Sequence, residues 1–228
     1  MAGNKNRKQL LKEPDQFISF STKMMNYIIK HKIAVLSSTG IVFALIIIIS
    51  GIRYFSIQEE NKSFALMEKA LARYETLEKE KGPEKAFEET QKDFQSIIDQ
   101  YASRGGGRAA RIAFANIAFQ AKNFDKAVDL YKKALEDLSD DSSLKNMILS
   151  SLGYSYEGKN DYENAEKYFN MIVKGKDSLL KDDAVFNLGR IYAKMEKQDK
   201  SMEFYKKLVD EYPESMYIDM INEKISDS

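Results

Sequence analysis

The chain has no cysteine and one histidine, His31. The first absence excludes disulfides, a thiol nucleophile, thiolate metal ligands and a lipid-modified cysteine. The second excludes a histidine-based triad or a site with several histidine ligands in the region that follows. Net charge is absent as well, since Lys+Arg and Asp+Glu both number 35. The balance conceals a division. Up to Lys32 there are Lys5, Arg7, Lys8, Lys12, Lys23, Lys30 and Lys32 against only Glu13 and Asp15. The chain beyond Arg53 is correspondingly acidic. A basic head and an acidic body imply two environments rather than one nucleic-acid surface.

Charge is missing altogether between Lys32 and Arg53. The run IAVLSSTGIVFALIIIISGI, residues 33–52, is long enough, at ~1.5 Å per residue, to cross ~30 Å of hydrocarbon. A core helix of a soluble protein keeps a polar face that this run lacks. It is also longer than the apolar stretch of a cleaved signal peptide and has no A-x-A-like site after it. An uncleaved signal anchor is therefore expected. KHK before it and Glu59–Glu60 after it place the N-terminus in the cytoplasm. In a bacterium this is the inner membrane, with the C-terminal region in the periplasm. EPDQFISFSTKMMNYIIKHK reads as an amphipathic helix, with Pro14 in its first turn and Phe17, Phe20, Met24, Tyr27 and Ile28 at helical spacing. It is expected along the membrane surface or against a partner's membrane helices. Gly40 and Ala44 form a small-x-x-x-small pair that suits a helix contact.

The stretch SLGYSYEGKNDYENAEKYF carries the fold signal. With Leu152 at position 7 of a 34-residue unit, Gly153 is position 8, Tyr156 is 11, Tyr162 is 17, Ala165 is 20 and Phe169 is 24. These are the positions of the tetratricopeptide repeat, a helix–turn–helix unit. The small residues at 8 and 20 let two helices approach where they cross, and GKND is the turn between them. The grid recurs with Leu188, Gly189, Tyr192, Ser201, Tyr205, Leu208 and Pro213, and upstream with Phe114, Ala115, Phe124, Ala127, Tyr131 and Ala134. Residues 83–102 resemble the second helix of a degenerate repeat, with Phe94, Ile97 and Tyr101 matching Tyr205, Leu208 and Tyr212. SRGGGR is read as a turn, because no strand precedes its glycines and no GK[ST] follows to make a phosphate loop. MYIDMINEKI is expected to cover the last repeat. Between span and repeats, Phe64, Met67, Leu71 and Tyr74 mark a helical stalk that continues the membrane helix or packs onto the first repeat.

The expected fold is thus all-α: one N-terminal transmembrane helix followed by a tetratricopeptide-repeat solenoid. The expected segments are a basic tail with its amphipathic helix (1–32), the anchor (33–53), the stalk (54–82), the repeats (83–215) and a capping helix with tail (216–228). Stacked repeats expose an inner face built by their first helices. On the grid, the candidate partner-binding residues there are Ile112, Asn116, Phe119, Met147, Tyr154, Phe186 and Arg190, a largely apolar set suited to a peptide or helix. The arrangement that clamps a C-terminal carboxylate needs Lys, Asn or Arg at positions 5 and 9. Position 5 here is Ile112, Ser150 and Phe186, so that clamp is absent. Asp137, Asp140 and Asp141 read as a solvated acidic loop. No catalytic, metal or cofactor site is expected, and no enzyme activity.

A short basic tail, KEPDQFISFSTKMMNYI before a single span, and a small repeat domain beyond it together resemble the ancillary Sec translocon subunit family of bacterial inner membranes. The resemblance covers essentially the whole chain. It implies association with the translocon and periplasmic chaperones or substrates, through the repeat groove. The alternative is a structural component of a cell-wall or outer-membrane assembly complex.

Overall fold

The computed structural model describes residues 16–138 and 142–226. The basic tail up to Asp15, Pro14 within it, the Phe17 side chain, and Asp140 and Asp141 lie outside the described residues. The contacts divide the chain into a unit ending at Gln58 and a unit beginning at Glu59. All regular structure among the described residues is helical.

The first unit contains helix α1 (Gln16–Lys30) and the start of helix α2 (Lys32–Lys81). In α2 an 18-residue window has a mean hydropathy of 2.5 and none of it is buried. It is long and apolar enough to cross a membrane. Two hydroxyls near its start, those of Ser37 and Ser38, donate back to the carbonyls of Ala34 and Val35 at 3.1 and 3.0 Å. These polar groups are therefore satisfied within the helix itself.

In the second unit, the end of α2 forms a hairpin with α3 (Pro83–Gln100). Gly82 makes the turn at φ 82°, a left-handed value that costs glycine little, and Pro83 starts α3 where a missing N–H does no harm. Ser63, Ala70 and Tyr74 are buried along this part of α2, and Arg73–Asp93 and Lys81–Glu89 pair across the hairpin. Residues 59–81 thus pack with the repeats as the partner helix that the degenerate repeat requires.

Three helical hairpins follow: α4 (Gly105–Gln120) with α5 (Phe124–Glu136), α6 (Ser142–Gly158) with α7 (Tyr162–Lys174), and α8 (Lys181–Lys194) with α9 (Gln198–Glu211). They obey the sequence grid down to the backbone. Position 15 is Lys122, Asn160 and Glu196, with φ of 58°, 59° and 60°. The next N–H in each, that of Asn123, Asp161 and Lys197, donates to the position 11 carbonyl, of Ala118, Tyr156 and Tyr192, at 2.8, 2.9 and 2.9 Å. Asn123 and Asp161 also accept from the backbone N–H three residues on, capping α5 and α7.

The small residues have a more specific task than a bare crossing. A Cβ at Gly153 would stand 2.6 Å from the Phe169 ring, and one at Gly189 2.4 Å from the Tyr205 ring. Position 8 therefore makes room for the position 24 aromatic of its own repeat. Phe169 is fully enclosed, and Ser201 is held by a hydrogen bond to the Gly189 carbonyl at 2.8 Å. Burying one such aromatic is worth roughly 1.5–3 kcal/mol. The terminal helix α10 (Ile218–Ser226) seats Ile221 on Val185, Phe186, Tyr205 and Leu208 and closes the stack.

One expectation is corrected. The glycines of SRGGGR are not the turn but the first residues of α4, and Gly106 and Gly107 are buried. A Cβ at Gly106 would lie 2.4 Å from the Ser63 backbone, and one at Gly107 1.9 Å from the Tyr101 carbonyl oxygen. The Gly105 N–H donates to the Glu60 carboxylate at 2.8 Å, so α2 both crowds and caps the start of α4.

Candidate protein-docking face

The first helices of the repeats, α4, α6 and α8, stand side by side, and their shared face carries most of the residues the grid selects. Two halves of this face differ in chemistry.

The half formed by α6, α8 and Tyr217, just before α10, is closed by polar contacts. Arg190 grips Glu157 with two hydrogen bonds of 2.8 and 2.7 Å, and Lys194 adds a third at 2.8 Å. Desolvation, the largest single influence on Glu157, pushes its carboxyl up. The hydrogen bonds and charges of Arg190 and Lys194 together outweigh it and hold the group below the usual carboxylate range. Next to this pair, the Tyr154 hydroxyl donates to Asp183 at 3.1 Å and accepts from Asn187 at 2.7 Å. Burial, and then the Asp183 charge, push the Tyr154 phenol well up. Tyr217 donates to the same Asp183 carboxylate at 2.8 Å and stacks flat on Phe186, centroids 4.0 Å apart. Burial and the Asp183 contact raise its phenol to about 12.

The half formed by α4 and α6 is open. Asn116, Phe119, Gln120, Tyr131, Ser151 and Tyr154 line a cleft of about 320 Å³. None of these side chains is charged. Tyr131 donates its hydroxyl to the Asn116 Oδ1, which fixes the carboxamide with its N–H₂ group unused by that bond. Tyr74 reaches Gln120 at 3.2 Å from behind.

Of the seven residues selected from sequence, Asn116, Phe119 and Tyr154 meet in this cleft. Ile112 lies apart, in an apolar cleft of about 300 Å³ with Ala109, Ala134, Leu138 and Leu144. Met147 is 53% exposed and lines neither. Phe186 is corrected: it is 9% exposed, with Tyr217 stacked flat on its ring, and offers little surface to a partner. Arg190 is committed to Glu157. Gln120 and Ser151 were missed because they sit one step beside the grid positions, and Tyr131 because position 24 reads as core. The only signal for Tyr131 was a hydroxyl where Phe169 has none. Among the described residues no group of three or more His, Cys, Asp or Glu gathers as a metal ion would require.

Residues 34–214 match the family described as a tetratricopeptide repeat-like domain. The structure is similar to that of BtubC (BKLC) from P. vanneervenii, with a TM-score of 0.53 at 15% identity, covering 72% of this chain and 68% of that one. It is also similar to nearly identical TPR-like repeats from Podosopora anserina, with a TM-score of 0.50 at 12% identity, covering 67% and 75%. At such identities the likeness is one of fold. No curated protein matches in sequence.

Proposed function

The chain belongs to the tetratricopeptide repeat-like domain family, and from that premise we propose that it is a membrane-anchored adaptor that docks protein segments on the first-helix face of its repeats. The observation that carries this reading is the uncharged cleft of Asn116, Phe119 and Tyr154, left open beside a half of the same face that ion pairs and Tyr217 already fill. An extended segment with apolar or neutral polar side chains suits it, with the Asn116 carboxamide donating to a main-chain carbonyl. Tethering raises the local concentration of such a site, so modest contacts suffice.

The exposed apolar window of α2 supports the anchor. The basic residues before it and Glu59–Glu60 after it support a cytoplasmic N-terminus and a repeat domain in the periplasm of a bacterial inner-membrane protein. On the resemblance of layout, the partners to examine first are translocon subunits, periplasmic chaperones and their substrates. The test is a photo-crosslinking residue at Phe119 in cells, with Met171, exposed on the second-helix side, as the control. Envelope proteins captured from 119 and not from 171 support the reading. Equal capture from both, or none from 119, rejects it.

A further inference from the structure

The first unit carries an interaction surface that the docking face does not use. Along α1, Phe20, Met24 and Tyr27 are all more than half exposed, and Ile28 continues their face. At 100° per residue these four fall within one arc, Lys23 and Lys30 flank it on the Tyr27 side, Thr22 and Asn26 lie farther round, and the exposed Met25 and Ile29 extend the apolar surface past Ile28. Lys23 and Lys30 are seven residues apart, so they lie nearly in line along the helix, about 10 Å from each other. From Gln16 to Gln58 the chain has Lys23, Lys30, Lys32 and Arg53 and no Asp or Glu. The unit's described residues therefore offer these lysines no carboxylate.

Depth is set by the sequence that follows. Lys30, His31 and Lys32 immediately precede the apolar run that starts at Ile33. The Tyr27 ring lies 4.7 Å from the His31 ring, and His31 accepts the Val35 N–H while donating its own to the Tyr27 carbonyl, both at 2.9 Å. Where that apolar run enters hydrocarbon, the Lys30–Lys32 cluster stands at the level of lipid phosphates. Helix α1 begins its apolar arc from that same level.

We propose that α1 is a lipid-recognition element that selects anionic phospholipid: Phe20, Met24 and Tyr27 enter the interface, and Lys23 and Lys30 hold acidic headgroups. The inference rests on the membrane-anchor reading of α2 proposed above and is independent of the docking face. Each lysine near an anionic surface contributes about a fivefold gain in binding. Losing both should shift the bound-to-free ratio of α1 by roughly twentyfold or more.

The absence of cysteine makes the test clean, because Met24→Cys in the full chain accepts one nitroxide label at one place. The chain is reconstituted in vesicles of phosphatidylcholine alone, and of phosphatidylcholine with about one-third phosphatidylglycerol. Label accessibility to oxygen and to a water-soluble nickel chelate reports immersion. The label is expected in the interface in the anionic vesicles and in water in the neutral ones. Lys23→Glu with Lys30→Glu should abolish the difference, and the milder pair Lys23→Gln with Lys30→Gln should reduce it, with helicity checked by circular dichroism. A label equally immersed in both lipids, or water-exposed in both, overturns the proposal. So does a difference that both charge variants leave intact. Spin–spin broadening that vanishes on dilution with unlabelled chain also overturns it, since a second copy would then cover this face.

Discussion

Ser63 and Gly106 meet backbone to backbone: a Cβ on Gly106 would stand 2.4 Å from the Ser63 carbonyl carbon and 2.5 Å from the Phe64 nitrogen. Neither atom belongs to a side chain that could swing away. Gly106→Ala should therefore force α4 away from α2 and cost about 1–3 kcal/mol or more, the range for overpacking a tight contact. Gly40→Ala and Gly51→Ala, where nothing lies within 4 Å, are the controls and should leave the repeats unaffected. Urea unfolding of the full chain in nonionic detergent, followed by near-ultraviolet circular dichroism, reads the difference. Equal midpoints for Gly106→Ala and the controls would show that α2 does not pack on α4 as described.

That contact also marks where sequence reading stopped. Positions 8, 20 and 24 were legible because every repeat solves the same local crossing, so Gly153 and Phe169, or Gly189 and Tyr205, repeat as pairs. Gly106 answers instead to Ser63, more than forty residues earlier in the chain. Glycine is the default turn residue, and nothing nearby showed that its smallness served a distant helix. Phe186 failed for the same kind of reason: its grid position is right, but Tyr217, from the terminal segment, lies on it. Asn116, Phe119 and Tyr154 were legible because the cleft they line is formed by successive repeats at equivalent positions.

Tyr217 offers the second prediction. It combines a flat stack on Phe186 with a hydrogen bond to Asp183. Tyr217→Phe keeps the stack and loses the bond, at about 1–2 kcal/mol for a bond to a charged group that is only part-buried. Tyr217→Ala loses both and should cost about 2–4 kcal/mol, adding the aromatic pair and its buried area. The ordering wild type, Phe, Ala in unfolding midpoint is expected. Hydrogen exchange should rise first in α10 and the start of α8. If Tyr217→Ala matched the wild type, the terminal helix would not be held to the last repeat by this residue.

Glu157 sets a pH dependence with a definite sign. Its folded-state pKa is lowered, so its contribution is fully present above the unfolded carboxylate value, about 4.3, and is lost as pH falls through the folded value. The wild-type chain should lose stability between about pH 5 and pH 3 more steeply than Glu157→Gln, since the variant has no proton to take up there. At neutral pH the variant should be less stable by about 1–3 kcal/mol, because Arg190 and Lys194 lose their shared carboxylate. Other carboxylates titrate in both proteins, so the difference between the two pH profiles isolates Glu157. Parallel profiles would mean that the pair with Arg190 is not maintained in solution.

The three inter-helix turns give the last prediction, and it runs toward greater stability. Lys122, Asn160 and Glu196 all adopt the left-handed conformation, at φ close to 60°. For residues with an ordinary Cβ that conformation costs about 1–2 kcal/mol, whereas asparagine tolerates it and glycine is free of the penalty. Replacing Lys122 or Glu196 by glycine removes the strain but lets the unfolded chain explore more conformations, which takes back part of the gain. A net increase of about 0.5–1 kcal/mol is expected for Lys122→Gly and for Glu196→Gly. Asn160→Gly should change little. The contrast among the three is the measurement that matters: the same turn geometry, occupied by three different residues, should respond according to side-chain chemistry alone. Urea midpoints that fall for Lys122→Gly and Glu196→Gly would show that those side chains hold the turns in some other way.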